Sequence, residues 1–530
     1  MQSTIIIPYR DRREHLTYFL KHSWPLLKQY LVNVRLIIVE QADNYFFNRG
    51  KLINVGIMEN LDSDYFIPHD VDMNPSEDFI RSIYTKTDFD VIRIAPGHGK
   101  SLGGICKISK KAAFELNGSP NYIWGYGIED RAMFYRARCK KITMSPNYAD
   151  NNRIKTLPHK CNVRPYVGST KSLSDELDSI YDGEDDTKKI EHLERSGLNT
   201  LKYRIKKTTV IEEGVTKIEA EILTTPIHKV YFSTPWSTPE KYLNEVNKML
   251  PFGAGFFWRG TLTGTDRMQE ADVVVALETA PPNITTLAKS KKVMCFPREP
   301  YDKKNWEQYH LEFGHTYGSD NQLIHAVTYP QFMDRSYSDL ARIIDYPVKK
   351  KLLSSIISYK TNIHGPKNCA VRTDAVIKLA QTYPELCDIY GHGWSKQLGA
   401  AYKGSPSGYR SAAGLSTKFH SLIDYHYSLC IEGCPMDNYI TEKFTDAILC
   451  WCIPIYYGAS NVADYFPTDS YYTVDITTPD FPDQVKSIAE RPITKVNIRA
   501  LQQARELILN KYNIWNLIYE NLHRSANEPY

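Results

Sequence analysis

The chain has 530 residues, too many for one ordinary hydrophobic core and enough for two domains or more. Hydrophobic residues make up 42% and charged residues 24%, the composition of a globular, soluble protein. With 65 basic against 61 acidic side chains the net charge is only +4, which argues against nucleic-acid binding as the main function.

After Met1-Gln2-Ser3 the chain enters a short apolar strand, Thr4–Pro8. Arg13–Lys28 follows with helical spacing, Leu16, Phe19 and Leu20 lying on one side. Val34–Val39 and Tyr65–Ile67 read as two further strands, and this βαβ rhythm predicts a largely parallel sheet with helices on its faces. The acidic stretch Asp175–Asp186 reads as an exposed loop, and Lys202–Leu223 as two strands joined at Glu212-Glu213-Gly214. A new start at Lys229-Val230-Tyr231-Phe232 places a domain boundary near 224–228. From there a second α/β pattern runs on, with buried parallel strands at Ala271–Ala276 and Lys292–Phe296 and an internal break near Pro347–Leu353. Helical segments at Ile498–Leu509 and Ile514–Leu522 close the chain.

No run reaches the ~18 apolar residues of a membrane span, and no transmembrane segment is expected. The ten cysteines show no paired zinc spacing and read as reduced, buried thiols. With no leader or anchor pattern at the start, the expectation is a cytoplasmic protein, of a bacterium or a large virus.

Chemistry-bearing residues gather in two groups. In the first, His69-Asp70-Val71-Asp72 follows an apolar strand, and carboxylates spaced i, i+2 can reach one hard divalent ion and a ribose or phosphate. Pro8-Tyr9-Arg10-Asp11-Arg12 sits at the end of the first strand, where open sheets bind ligands. Phe47-Asn48-Arg49-Gly50-Lys51-Leu52 adds cations, Gly103-Gly104 permits close backbone approach, and Trp124-Gly125-Tyr126-Gly127-Ile128-Glu129-Asp130 can stack a sugar and hold its hydroxyls.

In this order these segments, with Ser196–Leu201 and the strands after it, resemble the β-1,4-galactosyltransferase family over roughly residues 4–223. The resemblance implies a GT-A fold, an inverting reaction and a UDP-sugar donor. By position it implies that Arg10 and Arg12 contact UDP, with Pro8, Asn48, Arg49, Asp70, Gly104, Trp124 and Glu129 completing the UDP-sugar site. Asp72 and His159 would hold Mn²⁺, and Asp130 would be the general base. Thr156 stands where the family has a third ligand, often Met, Arg131 where it has another acidic residue, and Tyr126 where it has a second Trp. Ser101 stands where many galactose-specific members carry Tyr; a smaller residue there leaves room for UDP-GalNAc beside UDP-Gal.

In the second group, Tyr425–Gly433 leads to Asp437-Asn438-Tyr439-Ile440-Thr441-Glu442-Lys443, an apolar helix, and Ile453-Pro454-Ile455-Tyr456-Tyr457-Gly458. Thr441 can cap that helix, and Lys443 in its first turn opposes the helix dipole unless an anion fills the site. These segments resemble the α-1,3-fucosyltransferase family over about 229–520. That implies a GT-B fold of two Rossmann-like halves holding GDP-fucose. By position, Arg372 and Lys443 would hold the diphosphate, Glu442 the ribose, and Tyr439 would line the donor site. Glu299 matches the general base, and Gly433 replaces an Asn usual in the family.

The expectation is therefore an α/β protein: a GT-A domain at 1–226, then a GT-B domain at 227–530. The latter's acceptor-side half spans about 227–348, its GDP-fucose half about 349–500, with C-terminal helices to 530. The first domain would transfer Gal or GalNAc in β linkage, the second L-fucose in α linkage, to one glycan or glycoconjugate acceptor. The alternative keeps one domain active and makes the other a glycan-binding module.

Overall fold

The computed structural model describes residues 1–43, 46–97, 99–125, 127–158, 170–222, 228–235, 237–251, 253, 257–258, 261–277, 286, 289–296, 311–314, 322–324, 335–361, 363–364, 367–394, 396–406 and 418–522. The chain divides into two compact units, Met1–Ile227 with Gly255–Thr263, and His228–Ala254 with Gly264–Tyr530. Both are of the α/β class, as expected.

The first unit is built on a seven-stranded sheet in the order Val91–Ala95, Ile105–Ser109, Tyr65–Pro68, Ser3–Tyr9, Val34–Gln41, Val215–Glu221, Arg204–Glu212. Its centre is parallel: Ser3–Tyr9 pairs in parallel with both Val34–Gln41 and Tyr65–Pro68, and Val34–Gln41 with Val215–Glu221. The remaining pairs, at the two margins, are antiparallel. The sheet is thus mixed, where the βαβ rhythm predicts a largely parallel one. Ile5, Ile7, Leu36, Ile38 and Ile67 are fully buried and share one core cluster with Phe19, Trp24 and Leu27 from the helices over them. Because the central strands are parallel, their carboxyl ends open on one edge. Pro8–Arg10 and His69–Asp72 both lie there.

Two local expectations are corrected. The helix foreseen over Arg13–Lys28 is two helices, Arg13–His22 and Trp24–Tyr30, broken at Ser23. Pro25 has no N–H to continue the ladder and instead occupies the first turn of the second helix. The acidic stretch foreseen as a loop lies mostly in the helix Thr170–Tyr181, followed by the helix Asp186–Glu194. Leu177 and Tyr181 are buried against Ala132 and Tyr135, while Asp175 and Glu176 are exposed on the helix's outer face. The hairpin is found as read, with Arg204–Glu212 antiparallel to Val215–Glu221 and Gly214 at φ 78° in its turn.

The second unit contains two parallel sheets. In one, His228–Ser233, Val273–Leu277, Lys292–Phe296, Leu311–Gly314 and Gln322–Ile324 pair successively. The other runs Asp388–Tyr390, Lys351–Ile356, Tyr425–Ile431, Ile453–Tyr457, Tyr472–Thr473. Two parallel α/β sheets are what two Rossmann-like halves require. In the second sheet the strand order reverses between Lys351–Ile356 and Tyr425–Ile431, so a crevice opens beyond their carboxyl ends. Among the described residues no helix is long and apolar enough to cross a membrane.

The helix Arg49–Met58 lies on the first unit's central strand so closely that a Cβ on Gly56 would meet Ile6 Cγ2 at 2.4 Å. Gly56→Ala is expected to destabilise the first unit by about 1–3 kcal/mol, overpacking outweighing the gain in helix propensity. Urea denaturation followed by intrinsic fluorescence measures it.

Candidate active sites

The first site forms where four segments meet at the open edge of the mixed sheet. Arg49 begins the helix Arg49–Met58, whose N-terminus Asn48 caps by accepting from Lys51 N at 2.8 Å. Asn48 Nδ2 in turn donates to Asn121 O at 2.9 Å, so this side chain anchors the loop before Trp124 to the helix start. From that fixed base the Arg49 guanidinium donates Nε to Asp70 Oδ1 at 2.8 Å, and Nη1 lies 3.5 Å from Glu129 Oε1. Gly104 O accepts from Asp70 N at 3.1 Å and lies 3.5 Å from Arg49 Nη2. Gly104 has φ 62°, and a Cβ there would meet Ala95 O at 2.3 Å, so the position requires glycine.

Glu129 and Asp130 open the helix Glu129–Cys139, where its dipole favours carboxylates. The residue before them, Ile128, has φ 77°. A β-branched residue there is a strained outlier of the kind that collects at functional sites. Glu129 is buried, and its Oε2 has no hydrogen-bond partner. Burial, only partly offset by Arg49, pushes its carboxyl up to about 7, with the Asp130 charge adding to the rise. Arg49 itself stays protonated despite burial, held first by Asp70 and then by Glu129. The shorter contact decides the pairing, so Arg49 belongs mainly to Asp70.

Asp130 is held on both oxygens: Oδ1 accepts from Arg131 N at 2.7 Å and Oδ2 from Ser101 Oγ at 2.5 Å. Arg131 turns away and clasps Asp178 with Nη2 at 2.6 and 2.7 Å. This ties the helix Thr170–Tyr181 to the helix bearing Asp130. His69, fully buried, contacts Asp70 O through Nδ1 at 2.9 Å and Tyr84 Oη through Nε2 at 3.0 Å. Burial lowers its pKa to about 4, so it is a neutral brace for the Asp70 turn.

At the rim, the Arg10 guanidinium lies 5.5 Å from the centre of the Phe47 ring, and Lys51 Nζ 4.9 Å from that of Trp124. Gly125 N donates to Phe47 O at 2.7 Å, joining these two aromatic segments. Pro8 is buried in the first strand, and Arg12 is half-buried just before the first helix. Asp72 lies in the turn between the strands Tyr65–Pro68 and Met73–Pro75. Its carbonyl accepts from Leu157 N at 2.9 Å, and Met73 is paired with Thr156. The segment leading to position 159 thus runs beside Asp72, although His159 itself lies outside the described residues.

The second site lies at the reversal in strand order of the parallel sheet Asp388–Thr473. Thr441 caps the helix Glu442–Leu449 and accepts from Lys443 N at 3.4 Å. Lys443 Nζ lies 3.0 Å from Thr441 Oγ1, 3.3 Å from Glu442 Oε1 and 3.5 Å from Glu432 Oε2. Burial works against its charge, but Glu442 and Glu432 prevail and raise its pKa. Arg372, in the first turns of the helix Cys369–Thr382, is buried close enough to repel Lys443, and its Nε has no hydrogen-bond partner. A buried and a half-buried cation at two helix starts, the buried Arg372 with an orphaned donor, form a cradle for an anion.

Tyr439 is buried behind Asn438, which has φ 61°. Glu432, unassigned from sequence, is fully buried and accepts Thr441 N at 2.8 Å and Thr441 Oγ1 at 2.9 Å. Its signal was its place directly after a buried strand. Lys418 donates to buried Asp446 at 2.6 Å beneath the same helix. Glu299 lies outside the described residues.

Residues 1–86 match the model of the N-terminal region of glycosyl transferase group 7, and 88–160 that of the N-terminal domain of galactosyltransferase. Residues 347–517 match glycosyltransferase family 10 (fucosyltransferase), C-terminal part. The resemblance of the two halves to a galactosyltransferase and a fucosyltransferase family is therefore found independently of the motifs. The chain is 37% identical over 155 residues to β-1,4-galactosyltransferase 4 of Cricetulus griseus, covering 27% of this chain and 44% of that protein. It is 31% identical over 210 residues to β-1,4-galactosyltransferase 1 of Mus musculus, covering 38% and 50%. The chain thus spans about half the length of these curated relatives. Among solved structures, a mutant Drosophila β-1,4-galactosyltransferase 7 in complex with manganese, UDP-Gal and xylobiose is 24% identical. It covers 42% of this chain and 95% of its own, with a TM-score of 0.36. An α-1,3-fucosyltransferase is 18% identical, covering 55% and 83%, with a TM-score of 0.33.

A carboxyl that titrates higher in the folded than in the unfolded chain stabilises the fold fully below its unfolded value, here 4.5. That contribution is lost as pH rises through about 7. The stability of the first unit relative to its Glu129→Gln variant is therefore expected to fall by roughly 1–3 kcal/mol between pH 4.5 and pH 8. Urea titrations of both proteins across that range measure the difference; parallel curves would place the titrating group elsewhere.

Proposed function

We propose that the chain is a bifunctional inverting glycosyltransferase, its first unit using a UDP-sugar and its second GDP-fucose. The observation that carries the first half is the convergence of Arg49, Asp70, Glu129 and Asp130 on one sheet edge, within a segment matching galactosyltransferase models. In this reading Arg10 and Arg12 anchor the UDP diphosphate, Trp124 stacks on sugar, and Glu129 meets a donor hydroxyl with its unpartnered Oε2. Asp130 takes the proton of the acceptor hydroxyl as that oxygen attacks the anomeric carbon. The bond from that carbon to UDP breaks, and its electron pair leaves with the diphosphate. UDP-Gal and UDP-GalNAc are both admitted as donors, and the product is a β-linked sugar on a glycan acceptor.

Asp72 and His159 would hold Mn²⁺, carboxylate and imidazole being ligands that suit it. Bound there, the ion supplies Lewis acidity to the departing diphosphate. In the second unit Arg372 and Lys443 hold the GDP diphosphate without an ion, Glu442 binds the ribose, Tyr439 lines the fucose pocket, and Glu299 is the base.

Asp130→Asn is expected to lower hexose transfer ~10²–10⁴-fold, the usual contribution of a general base, while fucose transfer to a preformed acceptor survives. Product analysis by mass spectrometry with UDP-Gal, UDP-GalNAc and GDP-fucose reads both activities, and unchanged hexose transfer would remove Asp130 from the mechanism. Chelation should divide the activities in the same way. EDTA is expected to abolish hexose transfer, Mn²⁺ to restore it, and fucose transfer to persist throughout, because its diphosphate is carried by side chains and helix starts. Loss of both activities with EDTA, or of neither, contradicts the assignment of a metal to one site.

A further inference from the structure

From the geometry around Asp130 we infer that Ser101 is a positioning residue for the general base, acting through Asp130 rather than lining the donor pocket. The inference rests on the reading of Asp130 as that base. Ser101 is fully buried, so its side chain offers no surface to a sugar. Both hydrogen-bonding roles of its hydroxyl are in use: Oγ donates to Asp130 Oδ2 at 2.5 Å and accepts from Gly103 N at 2.9 Å.

The loop carrying Ser101 is wrapped around the carboxylate. Leu102 N donates to Asp130 O at 3.1 Å, fixing the loop to the helix start. A Cβ on Gly103 would meet Asp130 Oδ2 at 2.5 Å, so the backbone passes as close as a glycine allows. With Arg131 N on Oδ1 and Ser101 Oγ on Oδ2, each carboxylate oxygen accepts one donor, and the plane of the group is set. An ionised carboxylate has about four lone-pair sites, so one on each oxygen is left for the acceptor hydroxyl. A helix start alone holds only Oδ1 and leaves the carboxylate to rotate about its Cβ–Cγ bond; the serine hydroxyl removes that freedom. A bulky side chain at position 101 would displace the hydroxyl and press on Asp130. Ser101 therefore bears on turnover before it bears on donor choice.

The test is a double-mutant cycle in the full-length chain, with steady-state hexose transfer from UDP-Gal for Ser101→Ala, Asp130→Asn and the double variant. A hydrogen bond to a charged group is lost, so Ser101→Ala is expected to lower kcat roughly 10–100-fold. The KM for UDP-Gal stays within about twofold, since donor binding is untouched. In the Asp130→Asn background the same substitution is expected to cause little further loss, because the group it positions no longer acts as a base. A purely structural or donor-binding serine gives a different pattern. Losses that multiply across the cycle, or a raised donor KM with kcat retained, would overturn the inference. Asp130→Asn with wild-type kcat would instead remove the base assignment, and is read from that variant alone. Should Ser101→Ala fail to fold, Ser101→Cys, a slightly larger side chain with a weak donor in place of the hydroxyl, takes its place in the cycle.

Discussion

The first site depends on one partly buried ion pair, Arg49 with Asp70. Arg49 stands at the start of a helix, Asp70 at the end of a sheet strand, and Glu129 at the start of another helix, so one guanidinium joins three elements. Its fork geometry makes this feasible, since a lysine offers no planar set of donors to satisfy separate acceptors at once. The pair also sets the electrostatics around it. Asp70 takes the closer contact, Glu129 is left poorly compensated, and burial then drives its pKa upward. Glu129, its carboxyl pushed up, thus lies beside the arginine that Asp70 engages, with Asp130 next in sequence.

The second unit manages an anion by other means. Lys443 is kept charged by Glu442 and Glu432, while Arg372 is brought close enough to repel it. The carboxylates offset part of that repulsion, and an entering anion would relieve the rest. Glu432 limits that strain by holding Thr441 through both its backbone and its hydroxyl, which fixes the helix start that bears Lys443. The reversal of strand order determines where this happens, since it is there that chain leaves two neighbouring strands in opposite directions.

Much of the architecture was legible because apolar periodicity is a local property. The strands at Thr4–Pro8, Val34–Val39 and Lys292–Phe296 and the hairpin at Glu213-Gly214 follow from runs of apolar residues and turn chemistry a few residues long. The failures were places where the deciding partner is remote. Asp175–Asp186 reads as a loop because its charges are visible and the surface that buries Leu177 and Tyr181 is not. The mixed character of the first sheet was hidden for the same reason, since the antiparallel Ile105–Ser109 is placed by its pairing with a strand some forty residues away.

For the site, the sequence by itself determined which residue types are available and in what order: Arg49, the Asp70–Asp72 pair, the Glu129–Asp130 turn, and Thr441 ahead of Lys443. Motif spacing carries that information because each motif is short enough to be held by its own strand end or helix start. Only the tertiary structure decided how those groups divide their bonds. It assigned Arg49 mainly to Asp70, turned Arg131 away to Asp178, spent the Ser101 hydroxyl on Asp130, and set Glu432 under Thr441. Each is a choice among competing partners far apart in the chain, made by distance and burial, and neither quantity exists until the elements have packed.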